Sequence, residues 1–202
     1  MRIVKVDTLL SCGKYSESEE WRTLETQLHD AIRRVSWPPG SGSFTIYPQS
    51  GKKRGEGNGV TPIKKGLMKE LRSFGWELEA RLDIAAVNRS GKLDAVLCTS
   101  YGPVALEWET GNISSSHRAL NKMALGLLKG ILACGILVVP SRALYQYLTD
   151  RIGNYSELEP YLDLWRAIPC KSGILQIVVI EHDATSKTVR RIPKGTSGRA
   201  LA

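Results

Sequence analysis

The chain is poor in the residues from which soft-metal and redox centres are built. Its four cysteines, Cys12, Cys98, Cys134 and Cys170, stand far apart with no CxxC spacing, and His29, His117 and His182 are equally dispersed. That scatter argues against a zinc cluster and a disulfide framework, leaving reduced thiols in a cytosol as the expectation. No apolar run approaches the roughly 20 residues that cross a bilayer, and Met1-Arg2-Ile3-Val4-Lys5 opens into a strand-like segment rather than a secretory leader. Acidic residues are in deficit, 20 against 28 Lys and Arg, for a net charge of +8. Such a balance favours an anionic partner (nucleic acid, anionic membrane or acidic protein) without choosing among them. A length of 202 residues suits one domain spanning 1–202 with its own hydrophobic core.

What the sequence does contain is a concentrated acidic hairpin, Gly91 to Asn112. Lys92 to Cys98 and Val104 to Glu109 read as strands joined by the turn Ser100-Tyr101-Gly102-Pro103. Alternation places Leu93, Ala95 and Leu97 on one face and Asp94, Val96 and Cys98 on the other. In the second strand, Ala105, Glu107 and Glu109 share a face. A hairpin centred between Tyr101 and Gly102 sets Asp94 opposite Glu109 and Val96 opposite Glu107, so all three carboxylates converge. Opposed Cβ atoms lie about 4.5 to 5.5 Å apart, and like charges that close destabilise the strand pair unless a cation neutralises them. All-oxygen ligation suits Mg²⁺ better than zinc. Alternating Glu on a strand is also what a solvated sheet face looks like; Asp94 and the neighbouring sequence favour the site.

Around the hairpin the pattern is α/β. Ser16 with Glu19 forms a capping-box signature, followed by Trp21, Leu24, Leu28, Ala31, Ile32 and Val35 at helical spacing, ending at Trp37-Pro38-Pro39-Gly40. Gly40 to Gly59 is a connection with a β-like patch, Phe44-Thr45-Ile46-Tyr47, and a basic tip, Lys52-Lys53-Arg54. That tip is either a solvated loop or an arm that orders on DNA phosphates. Thr61-Pro62 starts a helix with the stripe Ile63, Leu67, Met68, Leu71 and Phe74. Trp76 to Val87 then reads as a strand. After Asn112, three serines offer an N-cap to a helix carrying Leu120, Met123, Ala124, Leu127, Leu128 and Ile131. Gly126, Gly130 and Cys134 fall on one face of it, which either packs on its own sheet or meets a second copy. Gly135 to Pro140 reads as a buried parallel strand. Two short helices follow, near 143–152 and 156–166, then a strand over Ile174 to Glu181 and a basic tail, 183–202, expected to be flexible.

Several of these segments together resemble a known family. An acidic strand residue, a hairpin and then apolar-apolar-Glu-x-Glu is similar to the catalytic signature of the PD-(D/E)XK nucleases. Glu107-Trp108-Glu109-Thr110-Gly111-Asn112 resembles the carboxylate strand and loop of the BglII and BamHI type restriction endonucleases. Lys69-Glu70-Leu71, Trp76 and Glu79 upstream are similar to family elements, as are Gly135 to Pro140, Leu144-Tyr145 and Ile177 to Glu181 downstream. Leu93 departs from the Pro of the superfamily name, and no lysine stands at the third signature position. The fold so implied is a restriction-endonuclease-like core over about 61–140 (helix, three-stranded antiparallel meander, helix, parallel strand), with an extra N-terminal helix and C-terminal helices and strand.

The resemblance implies a type II restriction endonuclease that uses Mg²⁺ to hydrolyse double-stranded DNA at a short palindromic site, as a homodimer in a prokaryotic cytoplasm with no membrane partner. Asp94 and Glu107 are the expected metal ligands, and Glu109 would hold or deprotonate the attacking water. Glu79 is the candidate supporting acid, with Asp83 its substitute, though a surface strand Glu reads the same way. Asn112, Ser114, Ser115, Ser116 and Arg118 are candidate DNA contacts, an Asn amide being able to pair with adenine; the serines equally suit a helix cap. Ser141 and Arg142 resemble a second recognition loop, and Lys52, Lys53 and Arg54 are candidate phosphate contacts. The competing readings are a repair or junction nuclease on the same core, and a basic DNA-binding protein whose carboxylates only pair with Arg118 or Lys122.

Overall fold

The computed structural model describes residues 1–53, 55–84, 91–149 and 152–194. The elements are β1 (Arg2–Cys12), α1 (Gly13–Glu17), α2 (Glu19–Arg34), β2 (Thr45–Ile46), α3 (Thr61–Ser73), β3 (Glu77–Ala80), β4 (Leu93–Thr99), β5 (Gly102–Trp108) and α4 (Ile113–Leu128). They continue with β6 (Cys134–Pro140), α5 (Arg142–Tyr145), α6 (Tyr155–Leu158), α7 (Leu162–Arg166), β7 (Gly173–Glu181) and β8 (Ala184–Thr185). Six strands form one sheet in the order β1-β7-β6-β5-β4-β3. β3, β4 and β5 make an antiparallel meander, β5, β6 and β7 run parallel, and β1 closes the edge antiparallel to β7. The expected core of helix, meander, helix and parallel strand is present.

The apolar residues of β6 and β7 are buried on both faces, as expected of parallel strands covered by helices. One face packs Leu24, Leu28 and Ile32 of α2 and Ile63, Leu67 and Leu71 of α3 against Leu106, Ile136 and Val178. The other packs Leu120, Met123 and Leu127 of α4 and Trp165 of α7 against Ala105, Leu137 and Ile177. Among the described residues no helix is long and apolar enough to cross a membrane.

Several expectations need correction. The α2 cap is Ser18, whose hydroxyl accepts from Trp21 N at 3.1 Å, while Ser16 donates to Gly13 O and belongs to the short α1. The strand expected over Trp76 to Val87 ends at Ala80, whose partner Leu93 is the first residue of β4, and within it Glu79 takes a left-handed φ of 55°. Its expected end and the following turn lie in 85–90, outside the described residues. The helix expected near 143–152 stops at Tyr145, where the chain leaves to pair with the loop before α3: Gly51 N donates to Gln146 O and Asn58 N to Tyr147 O. The small residues near α4 serve their own chain. A Cβ on Gly126 would meet Leu132 at 2.7 Å, and Gly130 takes a positive φ just past the helix end.

The first part of the tail is packed. β8 pairs in parallel with β2, Trp37 Nε1 donates to Arg190 O at 2.7 Å, and Ile192 is fully buried. Of the tail, 195–202 lie outside the described residues. The anchor is Asn58, 0% exposed, whose amide donates to Tyr47 O and Tyr147 O and whose oxygen accepts from Ile192 N. An exposed-looking polar tail is thus fixed by one buried amide that satisfies three separate backbone segments.

Asn58→Ala removes three hydrogen bonds and leaves the buried Ile192 N without its partner, while Tyr47 O and Tyr147 O each keep one backbone donor, a loss of about 2–4 kcal/mol. In a domain of this size that lowers Tm by roughly 6–12 °C. A thermal melt that moves by less than about 2 °C would remove Asn58 as the anchor.

Candidate active site

The hairpin turn comes one residue earlier than its sequence suggests. Thr99 pairs with Gly102 and Ala95 with Leu106, so Asp94 comes opposite Glu107 instead of Glu109. Side chains set this register: Thr99 Oγ1 accepts from Tyr101 N and donates to Gly102 O, and Glu20 receives both Ser100 N and Ser100 Oγ. Since Asp94 slides by two positions along its partner, the face it presents is unchanged, and the carboxylates still converge.

Asp94 is held on both carboxylate oxygens. Oδ2 accepts from Trp108 N at 2.8 Å, and Oδ1 accepts from the Lys64 ammonium of α3. Its own N–H points to Glu107 Oε2 at 3.4 Å. Glu107, 8% exposed, has Lys122 Nζ of α4 at 3.9 Å. Burial, followed by the neighbouring Asp94 charge, pushes its carboxyl up to about 7, against the opposing pull of Lys122. Glu109 is half-buried and raised for the same leading reasons, burial and then Asp94, with Lys64 acting to lower it. The backbone around Glu109 is tied down. Glu109 N donates to Val138 O of β6, and two residues on, Gly111 O accepts from Gly153 N at 2.7 Å.

The three carboxylates open on a groove of about 1000 Å³, shared with Gly91, Lys92, Ser114, Ser115, His117, Arg118, Asn121 and Lys122. The alternation of β4 is interrupted beside Asp94. Regular alternation would keep Leu93 and Ala95 on one face, yet they pack in opposite halves of the core. Glu79, opposite Asp94 in the β3-β4 register, carries the left-handed φ at the same level. Such a conformation costs a non-glycine residue on the order of 1–3 kcal/mol.

Of the residues expected from sequence, the structure brings Asp94, Glu107, Glu109, Ser114, Ser115 and Arg118 to this groove. Glu79 is not brought in: its side chain is 57% exposed and pairs with Lys92 at 3.7 Å, because the positive φ turns it away. Asp83 is exposed beyond the strand. Asn112 is the N-cap of α4, accepting from Ser115 N, so this residue, and not the serines, caps the helix. Ser116 is buried. Ser141 caps α5 and donates to Glu181 Oε2, leaving Arg142 exposed beside it. Lys52 and Lys53 are exposed on the loop that docks against 146–149, at the end of the sheet where β6 finishes. Arg54 lies outside the described residues.

Lys64 escaped the sequence reading. Thirty positions separate it from Asp94, and its only signal is its place beside Ile63 on the buried stripe of α3. As the side chains stand, no group of three His, Cys, Asp or Glu among the described residues is gathered tightly enough to hold a metal ion. Two lysines occupy that role electrostatically, one from each helix layer. The donor set of buried carboxylate oxygens, with Glu107 short of compensating charge, nonetheless fits a hard divalent cation.

Comparison with known proteins finds relatives over almost the whole chain. A family model described as restriction endonuclease BamHI matches residues 1–199. Type II restriction enzyme OkrAI of Oceanobacter kriegii is 47% identical over 201 residues, covering 100% of both chains. Type II restriction enzyme BamHI of Bacillus amyloliquefaciens is 36% identical over 169 residues, 80% of this chain and 75% of that one. The structure of restriction endonuclease BglII complexed with a DNA 16-mer has a TM-score of 0.64, covering 95% of this chain and 88% of the other. At 9% identity that likeness is one of fold.

Glu107 binds its proton more tightly folded than unfolded, so its contribution to stability is full below the unfolded carboxylate range and is lost as pH rises to about 7. In EDTA, the chain therefore loses up to about 3 kcal/mol between pH 4.5 and 7 from this residue. Glu107→Gln should melt higher than wild type at pH 8 and equally at pH 4.5. A Glu107→Gln variant that melts no higher than wild type at pH 8 would reverse the assignment.

Proposed function

The chain belongs to the BamHI restriction endonuclease family, a type II restriction endonuclease hydrolysing DNA phosphodiester bonds, and we propose that the carboxylates of the β4-β5 hairpin are its catalytic centre. Enzymes of this class use divalent metal ions, and Mg²⁺ is the ion assigned here, with Asp94 and Glu107 as its ligands. The observation that carries the proposal is the convergence of Asp94, Glu107 and Glu109 on one groove with Glu107 raised to about 7. Like-charged groups are held together there at a cost that a stable fold would otherwise avoid.

Bound there, the ion would polarise the phosphoryl oxygen and lower the pKa of a water. Glu109 then orients that water and accepts its proton as the new P–O bond forms and the bond to the leaving oxygen breaks. The carboxylate suits this better than a lysine, which is already protonated at neutral pH. Burial raises Glu109 toward the operating range of a base. Its anchorage through Glu109 N and Gly111 O keeps it from turning out of line with the phosphate.

DNA binding is assigned to the rim. Ser114, Ser115 and Arg118 line the groove, Asn112 begins the helix that carries them, and near the end of β6 Arg142 is exposed at the start of α5 and Lys52 and Lys53 on a loop. Loops at the carboxyl ends of parallel strands are where open α/β sheets present ligands. A homodimer with one active centre per strand matches the symmetry of a palindromic site. Exposed Tyr161 and Leu164, beside α4, leave apolar surface for such a contact. The reading extends to a cytoplasmic location in a prokaryotic cell, where a restriction enzyme meets its DNA substrate.

With Mg²⁺, the wild type should convert plasmid into discrete fragments. Glu109→Ala should lower the single-turnover rate by about 10²-fold to 10⁴-fold, and Asp94→Ala and Glu107→Ala at least as much, all three keeping DNA affinity. Intact plasmid with wild type, or unimpaired cleavage by Glu107→Ala, would refute the assignment. Arg118→Ala should flatten the salt dependence of binding by about one in logarithmic slope; an unchanged slope would take Arg118 off the phosphate backbone.

A further inference from the structure

Lys64 stands where no signature of the hairpin places a cation. The hairpin offers Asp94 two oxygens, and the fold disposes of both: Trp108 N holds Oδ2 at 2.8 Å, leaving Oδ1 to the Lys64 ammonium. A backbone N–H in a strand pair cannot withdraw without unzipping β4 from β5. A lysine on a helix can withdraw by rotating its flexible side chain. Lys64 is partly exposed, at 33%, so its ammonium has somewhere to go. The oxygen open to exchange is therefore Oδ1, and the group that exchanges is Lys64.

We propose that Lys64 is a stand-in cation: it occupies the Asp94 oxygen that the divalent ion takes, is displaced from it by that ion, and then pairs with the scissile phosphate. The inference rests on the reading of Asp94 as a metal ligand. Lys64 bonds Asp94 and is also close enough to Glu109 to lower its carboxyl, so one ammonium acts on both carboxylates. Lys122 does not fit the role equally well. It is 3.9 Å from Glu107 and is also tied to Gly91 O at 2.8 Å, which leaves it less free to move.

The test is Lys64→Met, which keeps the stem and removes the charge, with Lys64→Arg as the charge-retaining control. Binding of Ca²⁺ to the DNA-free protein is measured by calorimetry, and single-turnover cleavage is measured at saturating Mg²⁺. Displacement by the ion requires opposite movements. Lys64→Met should bind Ca²⁺ roughly 5-fold to 10-fold more tightly, a competitor having been removed, and should cleave about 10²-fold more slowly, a transition-state cation having been lost. Lys64→Arg should stay near wild type in Ca²⁺ affinity and recover part of the rate. A structural role moves both readouts downward together, and that result, or unchanged Ca²⁺ affinity, overturns the proposal. Asp94→Asn distinguishes the two layers. If it leaves Ca²⁺ binding intact, the metal-site reading itself fails; if it abolishes binding while Lys64→Met changes nothing, only the role of Lys64 fails.

Discussion

The mutual repulsion of Asp94, Glu107 and Glu109 is the constraint that the rest of this structure answers. A two-stranded turn brings the three groups together, and burial denies them the water that would weaken their repulsion. The fold responds from both layers. Lys64 reaches Asp94 from the α2-α3 side of the sheet, and Lys122 reaches Glu107 from the α4 side. Each lysine is placed by an apolar stripe, Ile63-Leu67-Leu71 for one helix and Leu120-Met123-Leu127 for the other. The hydrophobic core thus aims two cations at a cluster that the sheet alone could not hold.

The second organising fact is direction. β5, β6 and β7 are parallel, so the segments that follow them emerge at one end of the sheet. There lie the Glu109 loop, the Ser141 cap and the Glu181 acceptor, with the loop before α3 and the tail pinned alongside by Asn58. The residues proposed for chemistry and for recognition share that end because the parallel strands deliver them there, while the opposite end holds the Ser100-Tyr101 turn.

Much of this was legible in the sequence, for reasons of parity. Side chains alternate with period two, so the carboxylates were placed on one face even though the turn was set one residue late. The parallel strands were legible as unbroken apolar runs. Other features were hidden because their causes are not periodic. The left-handed φ at Glu79 turned away the expected fourth acid, and nothing in its neighbours announces it. Lys64 is joined to Asp94 only through three dimensions. The tail, polar and basic, looked free because its anchors are a buried Asn58 amide and backbone pairing with β2, neither of which leaves a pattern in the tail itself. Ser18 prevailed over Ser16 as a cap by its position relative to Trp21, a difference of two residues that composition does not resolve.

The hydrogen bond from Gly153 to Gly111 ties the loop after Glu109 to a distant segment, and both partners are residues without side chains. A Cβ on Gly153 would lie 2.9 Å from the backbone of Ile113, so the two chains pass each other with no room between them. A connector this short and this tightly clamped has no slack to absorb inserted residues. Natural variation in the bases such an enzyme selects should then arise by exchanging side chains along a frame of fixed length, with lengthening confined to the outer loops.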